Sequence, residues 1–283
     1  MSLPATPAAA LAEARQRIPV SEARILLTHV LGRDRAWLEA HRDDPLAEDA
    51  ASRFVTLAAR RASGEPVAYL VGRREFHGRD FVVTPAVLIP RPETELLVDW
   101  ALEKAGRWTA PRILDLGTGS GCIAITLALA LPEAEVTAVD LAPEALAVAR
   151  RNADRLGARV EFRLGDWFDA VGDARFDLVV ANPPYVAAGD PHLHQGDLPF
   201  EPRHALESGP DGLDAIRRIA RQAICHMGES AWLACEHGFD QGHSCREIFE
   251  ALGFEDVVGM RDLAGHPRIT AGTVTKVTLF GAT

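Results

Sequence analysis

The chain has 283 residues, 47% of them hydrophobic and 25% charged, an ordinary globular composition with enough length for one large or two modest domains. Its net charge of −10 is uneven: residues 1–70 balance nine basic against nine acidic side chains, and residues 71–283 carry 21 against 31, which argues against tight phosphate-driven binding of nucleic acid. The four cysteines, Cys122, Cys225, Cys235 and Cys245, form no Cys-x-x-Cys pair, and with His226, His237 and His243 they match no structural-zinc spacing, so reduced thiols and no metal are expected.

Met1–Pro7 has neither a basic n-region nor an apolar h-region. The longest strongly apolar run, about Cys122–Leu131, falls short of the roughly 20 residues a bilayer span needs. A cytoplasmic protein with no membrane partner is expected. Residues 8–62 read as helical: Ala8–Arg17, then a helix capped by Ser21 that carries Ile25, Leu26 and Val30 and stops at Gly32. Asp34–His41 predicts a short helix burying Trp37 and Leu38. Leu46–Ala62 places Phe54, Leu57 and Ala58 on one helical face. Gly64-Glu65-Pro66 breaks the pattern, and Glu75–Val83 reads as a β-hairpin. Leu88–Glu95 is a Pro-bounded segment opening a helix whose first turn is acidic and whose apolar face is Leu96, Leu97, Trp100 and Ala101.

From Arg112 onward strands and helices alternate. Strands are predicted at Ile113–Leu116, Val136–Val139, Val160–Leu164, Phe176–Ala181, Trp232–Cys235, Val257–Arg261 and Thr273–Phe280. Helices are predicted at Gly121–Leu131, Pro143–Leu156, Leu213–His226 and Gln241–Leu252. This is the α/β pattern of a mainly parallel, doubly wound sheet. The expected domains are a helical one over residues 1–72, suited to binding a partner, a β-hairpin connector over 73–90, and an α/β domain over 91–283.

Three strand ends carry a cofactor signal. The first closes on Asp115-Leu116-Gly117-Thr118-Gly119-Ser120-Gly121, whose glycines permit a tight turn and close approach of backbone to ligand. A dinucleotide Gly-x-Gly-x-x-Gly would need glycine at 122, where Cys122 stands. Adenosylmethionine carries no phosphate and fits this loop better; Asp115 is placed to attract its ammonium group. Asp140, ending the second strand, suits the ribose hydroxyls, although a helix cap ahead of Pro143 is an alternative role. Asp166 and Trp167 follow the third strand and suit the adenine amino group and purine face.

Asn182-Pro183-Pro184-Tyr185 follows the apolar strand Phe176–Ala181. A carboxamide, carbonyls held by two fixed φ angles and an aromatic face then sit at a strand end, a set able to grip a planar NH2 group. Taken alone the tetrapeptide also fits an ordinary strand-to-loop turn. With the cofactor signal beside it, Asn182, Pro183, Pro184 and Tyr185 become the candidate catalytic residues. The cofactor set is Asp115, Gly117, Thr118, Gly119, Ser120, Gly121, Asp140, Asp166, Trp167 and Asn182.

These motifs resemble the class I S-adenosylmethionine-dependent methyltransferases and, more narrowly, the PrmC/HemK family, which modifies glutamine of peptide chain release factors. The resemblance rests on Gly64-Glu65-Pro66, Arg74-Glu75-Phe76, Leu88–Glu95, Gly117–Gly121, Asp166-Trp167-Phe168, Asn182–Tyr185, Phe200-Glu201-Pro202 and Glu236-His237-Gly238, in family order. Ser120 stands where threonine is commoner. The resemblance implies a Rossmann-like sheet with a final antiparallel strand, a small all-α N-terminal domain, and a monomeric enzyme. It implies methyl transfer from adenosylmethionine to the side-chain amide nitrogen of glutamine in the Gly-Gly-Gln motif of a release factor. In that reading the Asn182 side-chain oxygen and the Pro183 carbonyl accept the two amide N–H bonds, Tyr185 packs on the amide and Pro184 stiffens the loop. The competing readings are an adenine-N6 methyltransferase of DNA or RNA, opposed by the acidic balance and the Arg91–Glu95 segment, and a non-catalytic translation-factor-binding protein, opposed by the intact motifs.

Overall fold

The computed structural model describes residues 3–274 and divides into two compact units. The first comprises the chain up to Arg73 together with Gln195–Phe200; the second comprises Arg74–His194 and the chain from Glu201.

Among its described residues the first unit holds the α-helices α1 (Pro7–Ala14), α2 (Val20–Leu31), α3 (Arg35–Ala40), α4 (Glu48–Ala62) and the unforeseen α5 (Val67–Val71). Leu26, Leu27, Leu38 and Phe54 form its core. The sequence-based cap on α2 is corrected. The helix begins after Pro19, so Ser21 lies inside the first turn and no side chain caps it. Gly32 ends α2 in the left-handed region, as its sequence position requires. Trp37 is also corrected: only part of it is buried, because its ring stacks on His41 at 4.1 Å instead of entering the core. Gln195–Phe200, assigned from sequence to the α/β domain, groups with these helices. Arg61 donates to Glu22 at 2.7 Å and to Asp197 at 3.0 Å, tying that segment to α2 and α4.

The second unit opens with the hairpin β1 (Arg73–Phe76) and β2 (Arg79–Val82). Its two-residue turn puts His77 and Gly78 at φ of 50° and 74°, the paired positive angles that match strand twist. A 3-10 turn, Pro92–Thr94, leads into α6 (Glu95–Ala105). There follow β3 (Arg112–Leu116), α7 (Cys122–Ala130), β4 (Glu135–Asp140), α8 (Pro143–Leu156), β5 (Glu161–Leu164) and β6 (Phe176–Ala181). The described chain closes with α9 (Asp214–His226), β7 (Met227–Glu236), α10 (Gly242–Ala251), β8 (Glu255–Arg261) and β9 (Pro267–Thr273). The predicted strand Thr273–Phe280 is thus displaced: its first residue ends β9, and residues 275–280 lie outside the described ones.

The sheet order is β5-β4-β3-β6-β7-β9-β8. Neighbours from β5 to β7 are parallel, and β9 runs antiparallel between β7 and β8. Alternate residues supply the two faces. Ile113, Leu178 and Val180 pack with α6 and α7, and Leu114, Leu116 and Val179 pack with α9 and α10. From β3 the chain steps outward to β4 and β5, then returns to the other side of β3 as β6. That reversal leaves a crevice at the carboxyl ends of β3 and β6, where open α/β sheets bind ligands. Among the described residues no helix is long and apolar enough to cross a membrane, and no three His, Cys, Asp or Glu side chains are grouped to hold a metal.

Candidate active site

The loop after β3 is folded by its own hydrogen bonds. The amides of Gly117 and Thr118 donate to Val139 O at 2.9 and 3.0 Å. Thr118 Oγ1 donates to Asp115 Oδ2 at 2.6 Å, and Gly119 N donates to Asp140 Oδ2 at 2.8 Å. Asp140 Oδ1 accepts from Ala142 N at 2.9 Å, a turn ahead of α8; no side chain caps that helix, so the capping alternative for Asp140 is corrected and its place is on the cavity wall. Glycine is required at Gly121. Its φ is +82°, and a Cβ would stand 2.7 Å from Ile125 Cδ1 and 3.2 Å from Ala149 Cβ, holding α7 and α8 apart. At Gly117 the obstacle is the Trp167 ring, which a Cβ would meet at 3.3 Å. Trp167 itself has a φ of 50°, an uncommon conformation for a bulky residue, and it aims the indole at the loop.

These elements surround a cavity of about 300 Å³. Its wall includes Gly117, Thr118, Gly119, Ser120, Asp140, Asp166, Trp167, Asn182 and Pro184 from the sequence-derived set. Asp115, Gly121, Pro183 and Tyr185 are not on that wall. Asp115 is completely buried behind the loop, with Oδ1 lacking a hydrogen-bond partner. Burial pushes its pKa up to about 7, against the stabilising Thr118 hydroxyl and Ala124 amide. Pro183 is buried. The Tyr185 carbonyl accepts from Gln241 Nε2 at 2.9 Å, and burial, with Glu236 nearby, raises its phenol pKa.

Asn182 stands at the end of β6, on the cavity wall. The β3–β6 register pairs Leu116 with Ala181, setting the Gly117 loop beside Asn182. Asn182 Nδ2 donates to Thr94 Oγ1 at 3.0 Å, and its Oδ1 is buried without a partner. Glu236, at the end of β7, is also buried. Its pKa is pushed up to about 7, chiefly by burial, with Thr94, Arg268 and Asn182 favouring the charged form and Glu93 opposing it.

Three contributors escaped the sequence reading. Asn152 on α8 is fully buried; its Nδ2 donates to Ser120 O at 2.9 Å and Val82 O at 3.0 Å, and its Oδ1 accepts from Val82 N at 2.7 Å, clipping β2 to the loop. Arg218 on α9 reaches the cavity and donates to Asp166 Oδ2 at 2.7 Å. Arg91 lines the cavity and pairs with the buried Glu201 at 2.7 Å. Nothing local in sequence joins these residues; Arg91 and Glu201 lie in two separate motifs of the family pattern.

Residues 92–197 match the methyltransferase small domain family, and residues 7–72 match the PrmC N-terminal domain. A release factor glutamine methyltransferase from Bordetella pertussis is 53% identical over 258 residues, covering 90% of this chain and 95% of that protein. The chain belongs to the release factor glutamine methyltransferase family. The Vibrio cholerae release factor glutamine methyltransferase is 44% identical, over 90% of this chain and 89% of its own. Among solved structures, a T. Thermophilus 16S rRNA methyltransferase in complex with AdoMet and guanosine has a TM-score of 0.53 at 16% identity, over 71% of this chain and 49% of that one, a likeness of fold. As expected of a release factor glutamine methyltransferase, the cavity suits adenosylmethionine. It offers the close backbone approach of the Gly117–Ser120 loop, the acid Asp140, the exposed apolar Leu141 beside it and the Trp167 face, a mixed polar and apolar wall matched to a zwitterion, a ribose and a purine.

Proposed function

We propose that this release factor glutamine methyltransferase moves a methyl group from S-adenosylmethionine to the side-chain amide nitrogen, N5, of the glutamine in the Gly-Gly-Gln motif of peptide chain release factors. The observation that carries this reading is Asn182, with Nδ2 engaged by Thr94 and Oδ1 buried without a partner at the strand end beside the cofactor loop. Bound adenosylmethionine supplies a methyl carbon activated by its sulfonium charge. Gly117–Ser120 and Asp140 hold its amino acid and ribose parts, and Asp166 and Trp167 its adenine.

An amide nitrogen is a weak nucleophile because its lone pair is shared with the carbonyl. The site's work is therefore to orient it, and orientation alone removes much of a barrier. The Asn182 side-chain oxygen and the Pro183 carbonyl accept the two N–H bonds, fixing the amide plane. Both oxygens also meet the positive charge that grows on nitrogen as its bond to carbon forms. Pro184 holds the loop stiff, Tyr185 packs on the glutamine side chain, and the nitrogen's surplus proton leaves to water. Residues 1–72, as a separate domain, present a surface to the release factor.

The test is incubation of the purified protein with labelled adenosylmethionine and unmodified release factor, followed by peptide mass spectrometry. Label on the Gly-Gly-Gln glutamine is the expected result. Label on adenine of an oligonucleotide and none on the release factor would overturn the reading.

A further inference from the structure

Glu236 has no part in the reaction as described above and is not on the cavity wall, yet it is buried next to Asn182, which is. The parallel register that pairs Ala181 with Cys235 brings Asn182 and Glu236 side by side beyond it. Both continue the alternation of Val180 and Ala234, on the face packed by α6. Glu236 is 1% exposed and Thr94 is 2% exposed. The Thr94 hydroxyl and the Asn182 carboxamide both lie against the Glu236 carboxyl and favour its charged form. Thr94 Oγ1 also accepts from Asn182 Nδ2 at 3.0 Å. Two buried acceptors in this group, Asn182 Oδ1 and Glu236 Oε2, have no hydrogen-bond partner among the described residues.

A threonine hydroxyl has one proton to give and lone pairs to receive, and an ionised carboxylate only receives. Facing ionised Glu236, Thr94 gives its proton to the carboxylate and can only accept from Asn182. That holds Nδ2 against Thr94 and leaves Oδ1 as the end presented to a substrate amide. Facing a protonated Glu236, Thr94 receives and its own proton turns toward Asn182. The carboxamide is then satisfied the other way round, with NH2 set against the NH2 of the substrate.

We propose that Glu236 is a positioning residue for glutamine methylation, fixing by direct contact and through Thr94 which end of the Asn182 carboxamide meets the substrate. This rests on the function proposed above. The charged and titratable groups facing Glu236 are Arg268 on β9, Glu93 in the 3-10 turn, Tyr185 in the loop after β6 and Cys122 at the start of α7. Arg268 favours ionisation, burial and Glu93 oppose it, and the carboxyl titrates at about 7. The relay is set above that pH and scrambled below it.

The experiment measures kcat on release factor across about pH 5.5–9 for the wild type, E236Q, T94S and T94V, together with Tm and cofactor affinity by calorimetry. Wild type and T94S are expected to share an acid limb near pH 7. E236Q and T94V are expected to lose that limb and about tenfold or more of kcat at pH 8, with cofactor affinity unchanged and, for E236Q, Tm at pH 8 equal or higher. Carbon and nitrogen NMR of the free protein gives a second readout that needs no substrate: the Glu236 carboxyl and the Asn182 side-chain amide should shift together with pH in the wild type, and the Asn182 step should vanish in E236Q. An E236Q enzyme with wild-type kcat and limb, or uncoupled shifts in the wild type, overturns the proposal. Should the wild type leave release factor unmodified, the functional reading fails, and the NMR coupling still decides the relay.

Discussion

The two walls of the cavity are built on opposite plans. On the cofactor side the loop amides and the acids are already engaged within the protein: Gly117 and Thr118 donate to Val139 O, Asp140 accepts twice from the main chain and Asp166 is paired with Arg218. At the ends of β6 and β7 the polar groups are side chains, and the buried acceptors Asn182 Oδ1 and Glu236 Oε2 stand without partners, as Asp115 Oδ1 and Ser120 Oγ do behind the loop. A wall of satisfied backbone is preorganised and tolerant of change in side chains. A wall with unmet acceptors is held against its own preference, and such strain persists only where the fold overdetermines it.

Mutations can break this contrast. The largest effect is expected from Asn182→Ala, a loss of about 10²–10³-fold in kcat with cofactor affinity retained, since it removes an acceptor aimed at charge that develops during reaction. Equal loss in cofactor affinity, measured by calorimetry, would show that the two walls are not separable.

The next effect is on stability against pH. Glu236 and Asp115 each titrate at about 7 in the folded protein, above the ordinary side-chain values of 4.5 and 3.8. The native chain therefore keeps protons that the unfolded chain has released, and stability falls as pH rises from about 4 through 7. For Glu236 the shift corresponds to about 3 kcal/mol at pH 8, an order-of-magnitude figure. Urea midpoints at pH 5.5 and pH 8 should differ less in E236Q than in the wild type, with a residual difference from Asp115.

A blow to the cofactor wall acts through packing. Gly121→Ala combines a left-handed φ with contacts of 2.7 and 3.2 Å to Ile125 and Ala149, and should cost about 2 kcal/mol by denaturant titration. The smallest effect is expected at the rim. Arg218 and Asp166 are 43% and 38% exposed, so Arg218→Ala should change stability by less than about 1 kcal/mol in the same titration.

Much of the α/β unit was legible because its signals are local. The Gly117–Gly121 loop, Asp140 and Asn182–Tyr185 each sit at the end of an apolar run, and a parallel strand buried on both faces announces itself that way; Asp166-Trp167 follows the alternating edge strand β5. The hairpin turn and the Gly32 stop were legible for the same reason. What escaped was long-range. Asn152 looks like any polar residue of an amphipathic helix until α8 packs and its amide meets Val82 and Ser120. Thr94 reads as a helix-opening residue, and its contact with Asn182 spans 88 positions. Trp37 was misplaced because a stacked histidine covers its ring as effectively as a core does. The grouping of Gln195–Phe200 with the helical unit depends on Arg61 and Asp197, 136 positions apart.

The placement of β9 bears on the order in which this molecule can become whole. β9 is the last described strand in the chain but sits inside the sheet, between β7 and β8. On a nascent polypeptide, β7 must wait with an open edge, and Glu236 at its tip lacks the compensating cation of Arg268, until the ribosome has delivered β9 itself. Closing the edge of β7 therefore requires a segment made after β8, although β8 lies beyond it in the sheet.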